Sequence, residues 1–486
     1  MNRSVGWLDY IFLAILASYL LLISAILPMN FDEAHNLQVP IMIAREGRYE
    51  TIYPMRSFDA FTTLTLGPTV QLPIALAFRL FGVGLLQARM VRCLYLIAVV
   101  CMLWIQCVRS YGRVIGLAVL LLWYSMPNQL VLSLWVLGEV PAIFFVWLGM
   151  LLWARGTTRY QNIGILVMGF SVVTKLYFGL VLLPVAALIT VRAVQTRIGA
   201  SSWIKQMVVA GVLFALPAAI WEIAKFAYFG PSVYPRYLAE YIEFLNYYQR
   251  QTDNFGPADR LKIVGDNVFP ALHYMITVVL VVAVAAKGIP DLLRGARDEL
   301  IPASMSLLVF ITGLVWFVFF FPLAWWRYLF AFSTLFLFLL GGLIQTVLAP
   351  FSSGWLRSTV VVGICTGLLL AAGPGVVRQF KATQSFYEEL RIQKQFAAEV
   401  DLYVQKGYKI GVSGWWHAPE IAFLAGGMKF LPYGCGQERQ RNLLVIYTKL
   451  EEAMAPRDAA ALTSCLGRRI LESADHNYAL YVAGKN

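Results

Sequence analysis

Apolar residues in this chain gather into runs that match the thickness of a lipid bilayer. About eleven such runs occur, at 9–27, 86–108, 113–130, 139–154, 162–174, 177–192, 207–229, 269–287, 303–321, 328–348 and 358–375. A helix of roughly 20 apolar residues crosses the hydrocarbon core of a membrane. Charged residues make up only 14% of the 486 residues, whereas an average soluble domain has roughly 25%. The sequence therefore excludes a soluble enzyme and predicts an all-α polytopic membrane protein with about eleven transmembrane helices.

The basic residues indicate how these helices are oriented. The chain has 39 Lys and Arg against 27 Asp and Glu, a net charge of +12. With the N-terminus inside, every short inner loop is basic, as cytoplasmic loops usually are. The residues concerned are Arg109, Arg113, Arg155, Arg159, Arg192, Arg197, Lys205, Lys287, Arg294, Arg297 and Arg357. We therefore expect a multi-pass protein of the cell (inner) membrane with a cytoplasmic N-terminus, a first run kept as a signal anchor, and no nucleic-acid partner.

The loops on the opposite, outer side are uneven in length, which places the chemistry there. Two of them are long, at 28–85 and 230–268, while most others are short. Within the first, the segment from Gly67 to Gly82 is apolar but contains Pro68, Pro73 and Arg79 and is short for a span, so we expect an interfacial or re-entrant helix. Residues 1–375 are accordingly assigned to one transmembrane domain.

The composition and periodicity of the sequence change after residue 375. Residues 385–407 have helical periodicity and mixed charge, and the later segments YKIGVSG, LLVIYT and ALYVA read as strands. Residues 376–486 are therefore predicted to form a small soluble α/β domain, extracytoplasmic because an odd number of spans separates it from the N-terminus. Cys435 and Cys465 both belong to it, and an oxidising compartment would allow a disulfide between them.

Two adjacent acids, Asp32 and Glu33, follow the first span directly. They open a predicted amphipathic helix that ends near Gly47. Acidic residues in a first turn interact favourably with the helix dipole, so helix capping is one interpretation. The other is catalytic, because a carboxylate at the boundary between membrane and loop can take a proton from an acceptor hydroxyl.

The DEA triplet after the first span, the following helix and the REGRY segment at its end resemble the first outer loop of the GT-C glycosyltransferases. The resemblance is to the branch that holds the protein O-mannosyltransferases and the bacterial aminoarabinose transferase of lipid A. It implies a GT-C-like membrane domain in which Asp32 and Glu33 are catalytic, with Asp32 as the base. It covers roughly residues 1–200 and reappears around Arg327.

Three further segments match that family's pattern. In VVTKLYFG, Lys175 lies where the family lysine meets the donor phosphate, although a lysine that snorkels to the interface would look the same. In WWRYLFAF, Arg327 lies where an arginine holds the lipid phosphate, a task that suits the guanidinium fork. In GEVP, Glu139 stands one residue further from the proline than the family's usual acid, and helix capping also explains it. Glu139, Tyr328 and His35 are the candidates for positioning the substrate.

Histidine metal chemistry is not expected. His35, His273, His417 and His476 show no HxxxH or HExxH spacing. No metal ligand is assigned, and a divalent cation is the one cofactor left open. His35 follows the two acids closely enough to share a proton with them.

The resemblance implies an inverting transfer of a sugar from a polyprenyl-monophosphate donor to an acceptor hydroxyl at the outer face, in the modification of cell-envelope glycans or glycolipids. The acceptor is a lipid, a glycan or a protein. A lipid-linked glycan transporter or flippase is the alternative from another class, but transporters tend to have internal repeats and broken helices, and the sequence shows neither. A ligase for diphosphate-linked glycans is a second alternative, and its expected late outer loop with basic and histidine residues is missing.

Overall fold

The structure is a computed structural model and describes residues 5–52, 66–126, 128–250, 256–268, 281–287, 289, 301–321, 325–348, 354–412, 418–427, 431–433, 442–449 and 456–483. The helices of its membrane part are α1 (Trp7–Ile26), α2 (Phe31–Asn36), α3 (Gln38–Glu46), α4 (Pro68–Phe81), α5 (Leu85–Ser110), α6 (Arg113–Ser125), α7 (Gln129–Leu134), α8 (Glu139–Trp153), α9 (Thr158–Thr174), α10 (Leu182–Thr196), α11 (Ala200–Arg250), α12 (Pro257–Val268), α13 (Ile301–Val315), α14 (Phe330–Leu348) and α15 (Gly354–Gln405). Short 3₁₀ turns cover Leu176–Val181 and Trp326–Tyr328, and a π-helical turn covers Trp316–Phe320.

Six helices among the described residues are long and apolar enough to cross a membrane. They are Trp7–Ile26, Leu85–Ser110, Leu176–Thr196, Ala200–Glu243, Ile301–Phe320 and Phe330–Val347. Each overlaps a predicted span, and α6, α8 and α9 match three more. The predicted span 269–287 lies mostly outside the described residues. The expected helical, polytopic architecture is confirmed.

The first outer loop contains the short helices that its sequence predicts. Helices α2 and α3 follow the first span, and α3 ends at Gly47, whose φ of 68° is the left-handed conformation that glycine adopts without strain. The apolar segment between Gly67 and Gly82 forms α4, which is 14 residues long. Helix also occupies much of the predicted second loop, because α11 continues to Arg250 through a kink at Gly230.

Helix α15 runs unbroken through the predicted domain boundary at residue 375. Pro374 lies inside this helix, and the neighbouring Gly375 allows close packing. A Cβ at this position would lie 2.2 Å from the carbonyl oxygen of Ser125, so only glycine allows α15 to approach α6 so closely. The same helix therefore belongs to both the membrane part and the C-terminal domain.

The C-terminal domain is a five-stranded sheet that packs on the C-terminal end of α15. Its elements are β1 (Lys409–Val412), α16 (Pro419–Leu424), β2 (Leu431–Pro432), β3 (Leu443–Thr448), α17 (Pro456–Thr463), β4 (Leu466–Glu472) and β5 (Tyr478–Ala483). The strand order is β2-β1-β3-β5-β4; β1 is parallel to β2 and β3, and β5 is antiparallel to β3 and β4. Cys465 is disulfide-bonded, while its predicted partner Cys435 lies outside the described residues.

The C-terminal domain docks on the helices of the first outer loop. Phe423 of α16 is buried in one apolar cluster with Ala34, Ile41 and Phe78 from α2, α3 and α4. Arg45 of α3 donates to the carbonyl oxygen of Gly426 at 2.6 Å. The docked domain therefore packs directly against the helix that carries Asp32.

Candidate active site

Asp32 lies in the first turn of α2, and Asn30 fixes the start of that turn. The side-chain oxygen of Asn30 accepts a hydrogen bond from the backbone N–H of Asp32 at 2.9 Å, the usual N-cap arrangement. The Asp32 side chain is 38% exposed and forms an ion pair with Arg327. By contrast, Glu33 and Glu139 are 0% and 1% exposed. Of the three predicted acids, only Asp32 is open to a substrate.

Arg327 lies in the short turn before α14 and is held by aromatic rings. Its guanidinium carbon is 4.6 Å from the ring centre of Trp325 and 5.0 Å from that of Tyr328, and Nη2 donates to the Tyr328 hydroxyl at 3.0 Å. Burial acts against its charge, but Asp32, Tyr328 and Glu139 outweigh burial and raise the pKa of Arg327 above its ordinary value. Arg327 is therefore a fixed cation beside Asp32.

Glu33 is buried and faces away from Arg327, toward Arg89 of α5. Its carboxylate oxygens accept from Arg89 Nε at 2.8 Å and Nη2 at 2.6 Å. The remaining N–H groups of Arg89 donate to the carbonyl oxygens of Ser24, Leu27 and Pro28. All five guanidinium donors are thus used. Through Arg89, Glu33 therefore connects α2 to the end of α1. This connection sets the direction in which Asp32 points.

Glu139 and Lys175 form a second, largely buried pair. Glu139 begins α8 and Lys175 ends α9, and their nearest side-chain atoms are 3.5 Å apart. The charge of Glu139 also acts on Arg327 and on the hydroxyl of Tyr177. The structure thus brings Asp32, Arg327, Tyr328, Glu139 and Lys175 into one network of charges.

Lys175 is held in place by the segment that enters α4. The backbone N–H of Gly67 donates to the carbonyl oxygen of Thr174 at 3.1 Å, and the hydroxyls of Thr69 and Thr174 are 2.7 Å apart. A Cβ at Gly67 would lie 1.4 Å from the carbonyl oxygen of Val173. Only glycine therefore allows this contact, next to the residue that we predicted to meet the donor phosphate.

Gly67→Ala is expected to displace the end of α9 and to lower the activity that is proposed below at least tenfold, because misplacing a substrate-positioning group by about 1 Å can cost a hundredfold in rate. Gly179→Ala is the matched control: it follows Lys175 closely, yet the nearest atom to its added Cβ is 4.0 Å away. The test compares the transfer rates of the Gly67→Ala and Gly179→Ala proteins, using preparations of equal monodispersity. Equal rates would contradict the positioning of Lys175 by Gly67.

His35 is buried and packs against Gln38 and Phe31. It is 6% exposed, its Nδ1 is 3.0 Å from Nε2 of Gln38, and its ring stacks on Phe31. Gln38 in turn accepts from the backbone N–H of Ile52 at 3.1 Å. In this structure His35 contributes to the packing between α2 and the start of α3.

Three residues of the site were not selected from the sequence. They are Arg89, Tyr177 and Arg92, which donates from Nε to the carbonyl oxygen of Trp135 at 3.0 Å. Two further nitrogens of Arg92 are buried and have no hydrogen-bond partner among the described residues, while Glu139 and Glu33 act on its charge. The sequence does contain a signal for Arg89 and Arg92, because both lie inside the apolar run 86–108. Charged residues within a membrane span are costly and usually have a function.

The described part of the chain contains no group of three His, Cys, Asp or Glu side chains that could hold a metal ion. Arg327 and Lys175 are the cationic side chains paired with Asp32 and Glu139.

Solved structures with the same fold are known. ArnT from Cupriavidus metallidurans, solved bound to undecaprenyl phosphate, superposes with a TM-score of 0.60 at 13% identity over 97% of each chain. Its apo structure gives a TM-score of 0.58 over the same share of each chain at the same identity.

The archaeal oligosaccharyltransferase AglB from Archaeoglobus fulgidus, solved with an inhibitory peptide and a dolichol-phosphate, gives 0.51 at 13% identity over 99% of this chain and 75% of that one. No family model and no curated protein matches the sequence. By its three-dimensional structure, the chain has the fold of the GT-C glycosyltransferases over nearly its whole length.

Proposed function

We propose that this protein is an integral-membrane, inverting glycosyltransferase that moves a sugar from a polyprenyl-monophosphate donor to an acceptor hydroxyl at the outer membrane face. The observation that carries the proposal is the pairing of Asp32, an accessible carboxylate, with Arg327, a fixed cation. A displacement at an anomeric carbon requires both, a base for the entering hydroxyl and a positive charge for the leaving phosphate.

The donor phosphate binds to Arg327 and Lys175. A guanidinium presents a planar fork of donors to phosphate oxygens, and Arg327 is held rigidly between Trp325 and Tyr328. Two proteins of the same fold, ArnT and AglB, were solved with undecaprenyl phosphate and with a dolichol-phosphate, which supports a polyprenyl phosphate as the lipid carrier here.

Binding of the phosphate also activates the base. Asp32 is paired with Arg327; a phosphate that takes over the guanidinium leaves the carboxylate free to accept a proton. The acceptor oxygen then forms a bond to the anomeric carbon while the bond from that carbon to the phosphate oxygen breaks. The hydroxyl proton passes to Asp32, and the bonding electron pair leaves with the lipid phosphate, so the anomeric configuration inverts.

The remaining groups position these reactants. Glu139 holds Lys175 and Glu33 fixes α2, while Tyr328 orients the guanidinium of Arg327. The acceptor is a hydroxyl of a lipid, a glycan or a protein. We place the site and the C-terminal domain on the extracytoplasmic side of the cell membrane, with the N-terminus in the cytoplasm.

Arg327→Gln is expected to weaken the binding of undecaprenyl phosphate by about tenfold to a hundredfold. A hydrogen bond to a charged group contributes roughly 1.5–3 kcal/mol, and glutamine retains a donor but not the charge. The readout is thermal stabilisation: the purified protein in detergent is titrated with undecaprenyl phosphate, and the rise in its unfolding temperature reports binding. Undecaprenol, which lacks the phosphate, should bind equally to both proteins.

Arg391→Gln is the control for this experiment. Arg391 is an exposed arginine of α15 that pairs with Glu388 on its own helix, and its replacement should leave the affinity for undecaprenyl phosphate unchanged. If Arg327→Gln bound undecaprenyl phosphate as tightly as Arg391→Gln does, Arg327 would not be a phosphate ligand.

A further inference from the structure

A buried amide from α15 contacts the short link between α1 and α2. Gln393 is 8% exposed. Its Oε1 accepts from the backbone N–H of Met29 at 2.8 Å, and its Nε2 donates to the carbonyl oxygen of Met29 at 2.9 Å. Nε2 also donates to the hydroxyl of Tyr478 at 3.2 Å. One side chain thus pairs with both polar groups of a single backbone residue, as a neighbouring β-strand would.

This amide has only one orientation that satisfies its partners. An exchange of its oxygen and nitrogen would turn Nε2 toward the N–H of Met29 and Oε1 toward the carbonyl oxygen of Met29, and would lose both bonds. A buried polar group without partners is costly. The contact therefore specifies the direction of the link and does not merely fill space.

The link itself determines where Asp32 points. It consists of the four residues 27–30, and Met29 lies three positions before Asp32. Arg89 holds the carbonyl oxygens of Leu27 and Pro28 from one side. Gln393 holds the next residue from the other side, and Asn30 then caps α2. The first turn of α2 thus starts from a backbone that is fixed at every residue.

The C-terminal domain in turn holds Gln393. Tyr478 of β5 accepts from Gln393 and donates to Glu420 of α16 at 3.0 Å. Glu420 is 4% exposed, and burial raises the pKa of its carboxyl to about 7. Helix α16 packs its Phe423 against Phe78 of α4. A continuous chain of buried hydrogen bonds therefore runs from the sheet of the C-terminal domain to the backbone before Asp32.

We propose that Gln393 is a positioning residue for the transfer reaction and that the C-terminal domain, through Tyr478 and Gln393, sets the orientation of Asp32. This inference rests on the proposed function. It assigns to the C-terminal domain a part in the turnover step, although its sheet contributes no group to the network of Asp32 and Arg327 among the described residues.

The test is Gln393→Met, which keeps the length of the side chain but removes its polar contacts. We expect kcat to fall by about tenfold to a hundredfold, the cost of misplacing a catalytic group by about 1 Å, while the affinity for undecaprenyl phosphate changes less than twofold. Turnover is measured as release of undecaprenyl phosphate from a panel of undecaprenyl-phosphate-linked sugars with native membrane extract as acceptor.

The matched control is Gln379→Met on the same helix. Gln379 is also buried, at 4% exposed, and also donates to a backbone carbonyl oxygen, that of Met126 at 3.0 Å. If a lost buried amide acts only through stability, both variants will lower the unfolding temperature and neither will lower kcat of the folded protein. Equal kcat values for the two variants would overturn the proposal.

Two further variants separate positioning from folding and from the proposed function. Tyr478→Phe leaves the Met29 contacts in place and should lower kcat by about twofold to tenfold, less than Gln393→Met does. In the Asp32→Asn background, Gln393→Met should cause no further loss, because it acts through Asp32; an additional loss would contradict this. Full turnover by Asp32→Asn alone would instead contradict the proposed function itself.

Discussion

Asp32→Asn is expected to lower the rate of sugar transfer about a thousandfold, within the range that a general base usually contributes. Asparagine has the shape of aspartate and can still meet Arg327, but it cannot accept the proton of the acceptor hydroxyl. The initial rate of undecaprenyl phosphate release measures the effect, since this lipid is the product of every donor of the class, whatever the sugar.

The same variant should bind undecaprenyl phosphate at least as tightly as the wild type does. In the wild type, Asp32 competes with the phosphate for Arg327, and an uncharged asparagine at this position competes less strongly. Asp401→Asn is the control, because Asp401 lies on α15 and accepts from Gln405, and it should leave both measurements unchanged. Wild-type turnover in Asp32→Asn would exclude Asp32 as the base, and weaker binding would contradict the competition.

Arg89→Met is expected to lower the free energy of unfolding by about 3–5 kcal/mol, the usual cost of removing one partner of a buried ion pair. Glu33 would remain fully buried without its ion-pair partner, and the carbonyl oxygens of Ser24, Leu27 and Pro28 would each lose the donor that Arg89 supplies. Thermal and denaturant unfolding in detergent measures the change.

Glu33→Gln, introduced into the Arg89→Met protein, should recover part of this loss. A buried amide costs less than an unpaired buried carboxylate, and its oxygen can keep the bond from the backbone N–H of Val136. Arg391→Met is the control, since the pair of Arg391 and Glu388 is exposed and exposed pairs contribute little. If Arg89→Met were as stable as that control, the pair of Arg89 and Glu33 would not stabilise the link between α1 and α2.

The neighbouring acids Asp32 and Glu33 illustrate the limit of prediction from the sequence. Both carboxylates follow the first span, and their pattern alone does not distinguish them. Successive residues on a helix are rotated by about 100°, so adjacent side chains point in different directions. In the folded protein, Asp32 faces Arg327 and Glu33 faces Arg89. The tertiary partners, Arg327 and Arg89, therefore distinguish the accessible Asp32 from the buried Glu33, which the sequence motif does not.

Strand β4 was missed for a different reason. Its sequence, LGRRILE, contains two arginines and a glutamate and lacks a clean alternation of apolar residues. It lies at the edge of the sheet in the order β2-β1-β3-β5-β4, where charged residues are tolerated and protect against further pairing. The apolar strands β1, β3 and β5 form the interior of the sheet and were predicted from their sequence.

The sequence by itself determined that the chain is a helical membrane protein with short helices in its first outer loop and a small α/β domain after its last span. Those features follow from local composition and periodicity, which a run of residues displays on its own. Only the tertiary structure decided which polar residues meet. Glu33 and Arg89 are 56 positions apart, Asp32 and Arg327 are 295 apart, and Met29 and Gln393 are 364 apart. Contacts over such separations depend on how the helices pack, because no local pattern records which distant side chain will face a given turn.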